Sequence, residues 1–544
     1  MTASYRKRSA PGGTAQTLDP VDTPPLDGPS AAGQATLPHS RRARWLVTGA
    51  LTAVLVAAAV ILRVLYIDSL GVNSDEAVYA GQAASIARDD DLQPYFPIFR
   101  AHPLLFQVIL SIPYELWGVS SLAGRLLSVA FGLGTVGMVY LTGTLMYGRT
   151  VGYLSALIAA TMPYLVVVNR QIILDGPMVF MATVGLYFMA RFSITHRSAW
   201  LYAASAALGL TFLAKETSIL LLGGIYAFIA LTPSLRIRPR QLLTATFIYL
   251  SVIMVYPVSV ILSGASRTGG NFIVWQLLRR ANHPWTFYPT VVPPALGIPV
   301  IIAALLGLWF LRGRRSWRES LLIWWIVGPV VFFQIWAVKG FQYLLPIAPA
   351  VAILAGHALA ALGARRWGTR GWSLDGRFVM VPLVALTAIW LTISSVNSIL
   401  PNRAGTEFLA GTGGVPGGRE AGQWVSDNVP KGAELLALGP SMANIIQFYG
   451  HRKTYGLSIS PNPLHRNPVY EPVLNPDLRI RHNDLQYIVW DSFSADRSPF
   501  FSAGLLKYVD RYNGEVVHTQ NVTFRTDGGD SVTKPAIVIY RVRP

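Results

Sequence analysis

Long apolar runs separated by short charged loops dominate the chain. They fall at about 45–66, 122–146, 151–168, 177–192, 199–213, 217–233, 241–262, 293–311, 320–338, 342–363 and 378–399. A helix needs roughly 20 apolar residues to cross a hydrocarbon core ~30 Å thick. Backbone groups in lipid must be satisfied within their own segment, so such runs predict helices. The pattern therefore predicts about eleven spans. Two of the connections are long, at about 67–121 and 263–292. The first contains YAGQAASIARD and PLLFQVILSIPYELWG, both amphipathic enough to lie flat at an interface. After the last run the pattern shortens. GREAGQWVSDNVP reads as a helix closed by Pro430, and FSAGLLKYVDRY as another; LQYIVWD, EVVHTQ and PAIVIYRV read as strands. The expected organisation is a disordered tail at 1–40, a membrane domain at 41–402 and a soluble α/β domain at 403–544.

Charge supplies the orientation. With a cytoplasmic N-terminus, one set of connections carries Arg149, then Arg191 and Arg197, then Arg236, Arg238 and Arg240. Arg312, Arg314, Arg315 and Arg318 follow on that side, then Arg365, Arg366 and Arg370. The opposite connections hold Asp75, Glu76, Arg170, Asp175, Lys215, His283 and Lys339. Sorting of this kind is the positive-inside rule at work. An odd number of spans then puts the C-terminal domain outside the cell membrane. Only 13% of the 544 residues are charged, against roughly 25% in a soluble domain. The net charge of +18 is thus a membrane-face signal, with no nucleic-acid partner implied. Cysteine is absent, which excludes a disulfide framework and thiolate metal sites.

Candidate chemistry gathers on the outer connections. Asp75 and Glu76 would serve as a general base and a supporting carboxylate; the alternative is a solvated helix N-terminus. Asp175 is either a second acid lining the same site or a helix cap before Gly176-Pro177. Arg125 opens a span on the side where arginine is unexpected, so it is a phosphate ligand or a snorkelling anchor. Lys215, next to Glu216, reads the same way or as a solvated turn. Arg100 and His102 would meet phosphate or sugar. His283, Trp285 and Tyr288 would stack on a sugar or form an aromatic belt. Lys339 and Tyr343 reach a lipid phosphate or anchor a span. There is no P-loop, zinc signature or serine-nucleophile elbow.

Taken in order, these pieces resemble the GT-C superfamily of membrane glycosyltransferases, and within it glycosyltransferase family 39, the dolichyl-phosphate-mannose protein mannosyltransferases and their bacterial relatives. The resemblance covers about 45–363. It rests on Asp75-Glu76 after the first span, His102-Pro103-Leu104-Leu105 in the same loop, and Gly124-Arg125-Leu126-Leu127-Ser128. Arg170 through Asp175 and the set Tyr343, Pro346 and Pro349 complete it. Leu104 stands where the family has a second proline, and no acidic residue adjoins His102 in sequence.

The resemblance implies a mainly α, polytopic GT-C fold that takes a polyprenyl-phosphate sugar donor from the membrane lipids and passes the sugar to an extracytoplasmic acceptor. It implies Asp75 as the inverting base, with Glu76 and Asp175 orienting the groups. Arg125, with His102, Arg170 or Lys215, would hold the donor phosphate. His283, Trp285, Tyr288, Lys339 and Tyr343 would contact sugar or acceptor. No cofactor is required by these signals, and a divalent metal is left open. The competing readings are a lipid or small-molecule transporter or flippase, and a scaffold displaying the C-terminal domain. A transporter favours polar groups on broken helices near the midplane within inverted repeats; here the charges sit at span ends and no repeat is apparent.

Overall fold

The computed structural model describes residues 41–98, 102–264, 266–311, 316–369, 372–401, 415–467, 470–525 and 530–544. The tail at 1–40, Arg100, Arg312, Arg314, Arg315, Arg370 and the 402/403 boundary lie outside the described residues. The chain forms two compact units, 1–51 and 52–544. In the first, the described residues belong to the start of α1 (Arg41–Val64).

Helices follow in order in the second unit: α2 (Ser74–Ile86), α3 (Leu105–Trp117), α4 (Ser121–Tyr147), α5 (Arg149–Thr161), α6 (Pro163–Val168), α7 (Asp175–Thr195), α8 (Ser198–Ala214) and α9 (Ile219–Leu231). Then come α10 (Pro239–Ile253), α11 (Val255–Leu262), α12 (Ser266–Leu278), α13 (Phe287–Leu296), α14 (Ile298–Leu311), α15 (Trp317–Ile335), α16 (Ala348–Gly363) and α17 (Arg377–Ile399). A short hairpin, β1 (Arg366–Thr369) and β2 (Trp372–Asp375), joins α16 to α17.

Every apolar run expected to be helical is helical. By length and composition, however, six of the described helices are long and apolar enough to span, or seven if α13 and α14 form one span bent by 91°. Shorter apolar helices, among them Ser198–Ala214 and Glu216–Leu231, fall below that length. The count of eleven spans is therefore not reproduced. Part of the difference arises where the chain breaks its helices. Pro163 opens α6 and interrupts the run that starts with α5. At that break the buried guanidinium of Arg63 donates to the carbonyls of Ala160 at 3.0 Å and Ala159 at 3.3 Å. It caps the buried C-terminal end of α5, where a cation is favoured. Small residues bring the central helices together. A Cβ on Gly356 of α16 would stand 2.4 Å from Ser155 Oγ of α5, so backbones meet there directly.

α2 corrects a second expectation. It lacks the exposed face that its sequence suggested, being buried by protein on most sides. Glu76, Ala77, Val78 and most of the helix to Ser85 are buried. Its Ala- and Gly-rich sequence admits close neighbours, and a Cβ on Gly81 would collide with the Phe96 ring at 2.2 Å. α3 keeps the amphipathic form expected of it, with Phe106, Leu110 and Tyr114 buried and Val108, Ile112 and Trp117 exposed.

The C-terminal α/β domain contributes α18 (Gly418–Asn428), β3 (Glu434–Ala437), α19 (Pro440–Gly450), β4 (Thr454–Gly456), α20 (Pro476–Arg481), β5 (Leu485–Asp491), α21 (Ser492–Arg497), α22 (Pro499–Arg511), β6 (Glu515–Arg525) and β7 (Ser531–Arg541). The sheet order is β4-β3-β5-β7-β6, parallel from β4 to β5 and antiparallel beyond. α18 and α19 cover one face through Val425, Ile445 and Ile446. α20 and α22 cover the other through Ile480, Leu505 and Val509. α19 packs on α2. Arg419 of α18 reaches Asp68 at 2.7 Å, and Tyr449 accepts the Val72 amide at 2.9 Å.

Candidate active site

The site begins at the first turn of α2. Asn73 caps the helix: its side chain accepts from the Glu76 amide at 2.9 Å, and Glu76 returns the bond by accepting from the Asn73 amide at 3.0 Å. Consecutive residues on this turn point different ways. Glu76 turns inward and is fully buried. Its Oε1 accepts from Arg125 Nε at 2.9 Å and from the Ile172 amide at 3.0 Å, and its Oε2 from Arg125 Nη2 at 2.8 Å. The remaining Arg125 donors go to the carbonyls of Ile67, Leu70 and Gly71, each at 2.8 Å.

A guanidinium has five N–H donors, and all five are engaged. This corrects the sequence reading of Arg125: buried at 2% exposure with every donor spent, it has nothing to offer a phosphate. Arg125 and Glu76 instead pin the chain entering α2 against α4. Glu76 is buried against Arg125 and points away from Asp75.

Asp75 turns outward and is accessible. The charges of Lys215, His102, Glu76 and Arg279 all act on it. The packing around it pushes its carboxyl above the ordinary carboxylate value, with Lys215 and His102 pulling it back and Glu76 adding to the rise. Asp175 opens α7, and Lys215 follows the last residue of α8, its antiparallel neighbour. Acid at a helix start and base at a helix end both suit the helix dipoles. Lys215 Nζ lies 2.7 and 2.8 Å from the two Asp175 oxygens and 5.0 Å from the centre of the Tyr343 ring. Burial alone would lower the Lys215 ammonium; the Asp175 carboxylate holds it above its usual value.

His102 Nδ1 sits 3.0 Å from both Glu216 oxygens, with Tyr79 and Phe272 edge-on to its ring. Glu216 is the acidic partner that the local sequence did not offer His102. It is separated from it by 114 residues and had read as half of a solvated turn. Arg279 and Tyr470 were also missed. The charge of Arg279 reaches Asp75, and burial together with the charge of Asp75 raises the Tyr470 phenol. Arg279 lies just past α12 in a loop read only for its aromatics. Tyr470 sits in a loop of the C-terminal domain, and no local pattern ties it to α2.

The other expected residues fall elsewhere. Arg170 is buried with Nη1 unpartnered among the described residues; burial and the nearby Arg125 push it down to about 10. It belongs to the Arg125–Glu76 side of the turn. His283, Trp285, Tyr288 and Lys339 form a second cluster. Lys339 Nζ is 5.5 Å from the Trp285 ring and donates to the carbonyls of Gln334 at 3.1 Å and Trp336 at 2.9 Å. His283 stacks on Phe287 at 4.1 Å, and the Tyr288 hydroxyl accepts from the Gly340 amide at 3.2 Å. Tyr343 stands between the clusters, close to Lys215 and in the field of Tyr288. Among the described residues, no three His, Asp or Glu side chains come close enough together to hold a metal ion.

The chain's relatives share this arrangement of elements. Residues 101–261 match the model of the dolichyl-phosphate-mannose-protein mannosyltransferase family, and residues 281–406 that of the Alg9-like mannosyltransferase family. Each of the two family models matches less than half of the chain. Among solved GT-C structures, ArnT from Cupriavidus metallidurans in the apo state superposes with a TM-score of 0.67 at 16% identity, covering 91% of this chain and 98% of that one. The same enzyme bound to undecaprenyl phosphate gives 0.65 at 16% identity, covering 92% and 98%. The archaeal oligosaccharyltransferase AglB from Archaeoglobus fulgidus, with an inhibitory peptide and a dolichol-phosphate, gives 0.56 at 13% identity, covering 90% and 75%. At such identities the likeness is one of fold. No curated protein sequence matches the chain. The first family match spans His102, Arg125, Arg170, Asp175 and Lys215, and starts after Asp75.

Proposed function

We propose that this protein transfers a sugar from a polyprenyl-phosphate donor to an extracytoplasmic acceptor hydroxyl, with Asp75 as the base and inversion at the anomeric carbon. One observation carries the reading. Of the four carboxylates of the site, Glu76 is paired with Arg125, Asp175 with Lys215 and Glu216 with His102, whereas Asp75 has no such partner among the described residues. A base must keep its lone pairs free for the incoming proton. Asp75 alone combines that freedom with access and a raised pKa.

In the proposed reaction Asp75 takes the acceptor proton as the acceptor oxygen bonds to the anomeric carbon. The bond from that carbon to the phosphate oxygen breaks, and the lipid phosphate leaves with the extra negative charge. Since Arg125 is committed, the cation for that phosphate is Arg279. It has no carboxylate partner among the described contacts, its field reaches Asp75 and Tyr343, and Trp275 supports it at 4.5 Å. Lys215 adds its charge from beside Asp175. The polyprenyl donor is supported by the undecaprenyl phosphate bound in the ArnT structure, and the external face by the sorting of arginines to the opposite connections.

The test is transfer of radiolabelled sugar by purified protein from a panel of polyprenyl-phosphate sugars. Asp75→Asn should lower the rate by at least ~10²-fold, the low end for loss of a general base, with an unchanged melting temperature. Near wild-type turnover in that variant would remove Asp75 from the role.

A further inference from the structure

The segment 67–74, which leads from α1 to Asp75, is held by two domains at once. From the membrane domain, Arg125 donates to the carbonyls of Ile67, Leu70 and Gly71. From the C-terminal domain, Arg419 takes the same stretch: Nη1 donates to the Asp68 carbonyl at 3.1 Å and Nη2 to the Leu70 carbonyl at 3.2 Å. The two guanidiniums meet on shared atoms. The Leu70 carbonyl accepts from both, and Asp68 Oδ1 lies 2.7 Å from Arg419 Nη2 and 3.8 Å from Arg125 Nη1. Helix α19 adds two contacts. The Tyr449 hydroxyl accepts the Val72 amide at 2.9 Å, and the buried Asn444 donates through Nδ2 to Ser74 Oγ at 3.1 Å. The approach is tight: a Cβ on Gly71 would lie 3.0 Å from Arg419 Cβ.

We propose that Arg419 and Asn444 are positioning residues for the transfer reaction: from the C-terminal domain they close a cage around 67–74 and so set where Asp75 stands. This rests on the reading of Asp75 as the base. Two cations drawn to one carbonyl repel each other, and the Asp68 carboxylate beside both offsets that repulsion. Charges of alternating sign then run from Arg419 through Asp68 and Arg125 to Glu76, the residue after Asp75. Ser74, the residue before Asp75, is held by Asn444. The base is thus bracketed, by the C-terminal domain on one side and the membrane domain on the other. The Arg419–Asp68 pair is partly exposed, and such a pair adds little to stability. What it supplies is placement. A base must lie within hydrogen-bond reach of the proton it takes, and a misplacement of ~1 Å can cost ~10²-fold in rate.

The experiment uses the full-length protein and the sugar-transfer assay. Asn444→Ala removes the bond to Ser74, and Arg419→Gln removes the charge beside Asp68. Each should lower kcat about tenfold, the scale set by one hydrogen bond, leaving the donor KM and the melting temperature unchanged. Ser74→Ala should slow turnover as Asn444→Ala does, and the two together should be no slower than the slower single variant, because both remove one contact. Wild-type kcat in Asn444→Ala or in Arg419→Gln would overturn the proposal. So would losses that multiply in the Asn444–Ser74 double variant, or a slowing that tracks a lowered melting temperature. Asp75→Asn separates this proposal from the reading beneath it. If that variant turns over like wild type, Asp75 is not the base and both fail. If it is inactive while Asn444→Ala and Arg419→Gln are unimpaired, the base stands and the positioning role alone falls.

Discussion

Arg125→Met tests the reassignment of that arginine from ligand to staple. The substitution keeps a long apolar stem and removes five N–H donors. Glu76 would keep the amides of Asn73 and Ile172 but lose its cation while remaining fully buried. The carbonyls of Ile67, Leu70 and Gly71 would lose their donor as well. Breaking one side of a buried ion pair costs about 3–5 kcal/mol. That is a large part of a total stability of about 5–15 kcal/mol. Neutralising the stranded acid should relieve part of the loss, so Arg125→Met with Glu76→Gln should be more stable than Arg125→Met alone. The assay is thermal unfolding of purified protein in detergent, with donor affinity measured below the transition. The expected result is a lowered melting temperature, partial recovery in the double variant, and near-normal donor affinity in whatever remains folded. A variant that melts like wild type but binds donor poorly would refute the reasoning and return Arg125 to the phosphate.

Two further outcomes follow from the charges around Asp75. The base works as carboxylate, so turnover should be lost as pH falls through the Asp75 pKa. Because that pKa is raised, the acid limb of the kcat profile should lie above the ordinary carboxylate value of about 3.9. Lys215→Met removes the largest opposing charge and should move the limb higher still; a downward shift would contradict the assignment. Arg279→Gln should raise the donor KM roughly tenfold, the scale of a charged hydrogen bond, with little change in melting temperature. An unaltered KM would place the phosphate elsewhere.

Elements whose signal is local were legible in the sequence. The apolar runs became helices, and LQYIVWD, EVVHTQ and PAIVIYRV became β5, β6 and β7, because periodicity and length act within a segment. Asp75, His102, Asp175 and Lys215 could be picked out as charges on one set of connections. Their pairing could not, since it depends on long-range contact: Glu216 meets His102 across 114 residues and Arg125 meets Glu76 across 49. Arg125 misled for the same reason. Its place at a span end suggests a ligand, but only the fold reveals that the turn at 67–71 aims three carbonyls at it. The count of eleven spans is not confirmed, and at Pro163 and Gly297 one apolar run folds as two helices.

The pairing also explains how one site can serve both ends of the proposed transfer. Glu76 and Asp175 are each neutralised by a cation, Arg125 and Lys215, so those contacts contribute little net charge to the reaction. Asp75 and Arg279 are left to meet the substrates. The donor enters as a phosphodiester with one negative charge and leaves as a monoester with two, while Asp75 goes from carboxylate to neutral acid. The total charge within the site is therefore constant, and negative charge moves from the α2 side toward Arg279. Fixed charges can favour such a displacement without rearranging, which is the form of stabilisation a desolvated site performs best. Removing the base and reversing the cation, with Asp75→Asn and Arg279→Glu together, would oppose the displacement at both ends and should abolish transfer even where acceptor and donor still bind.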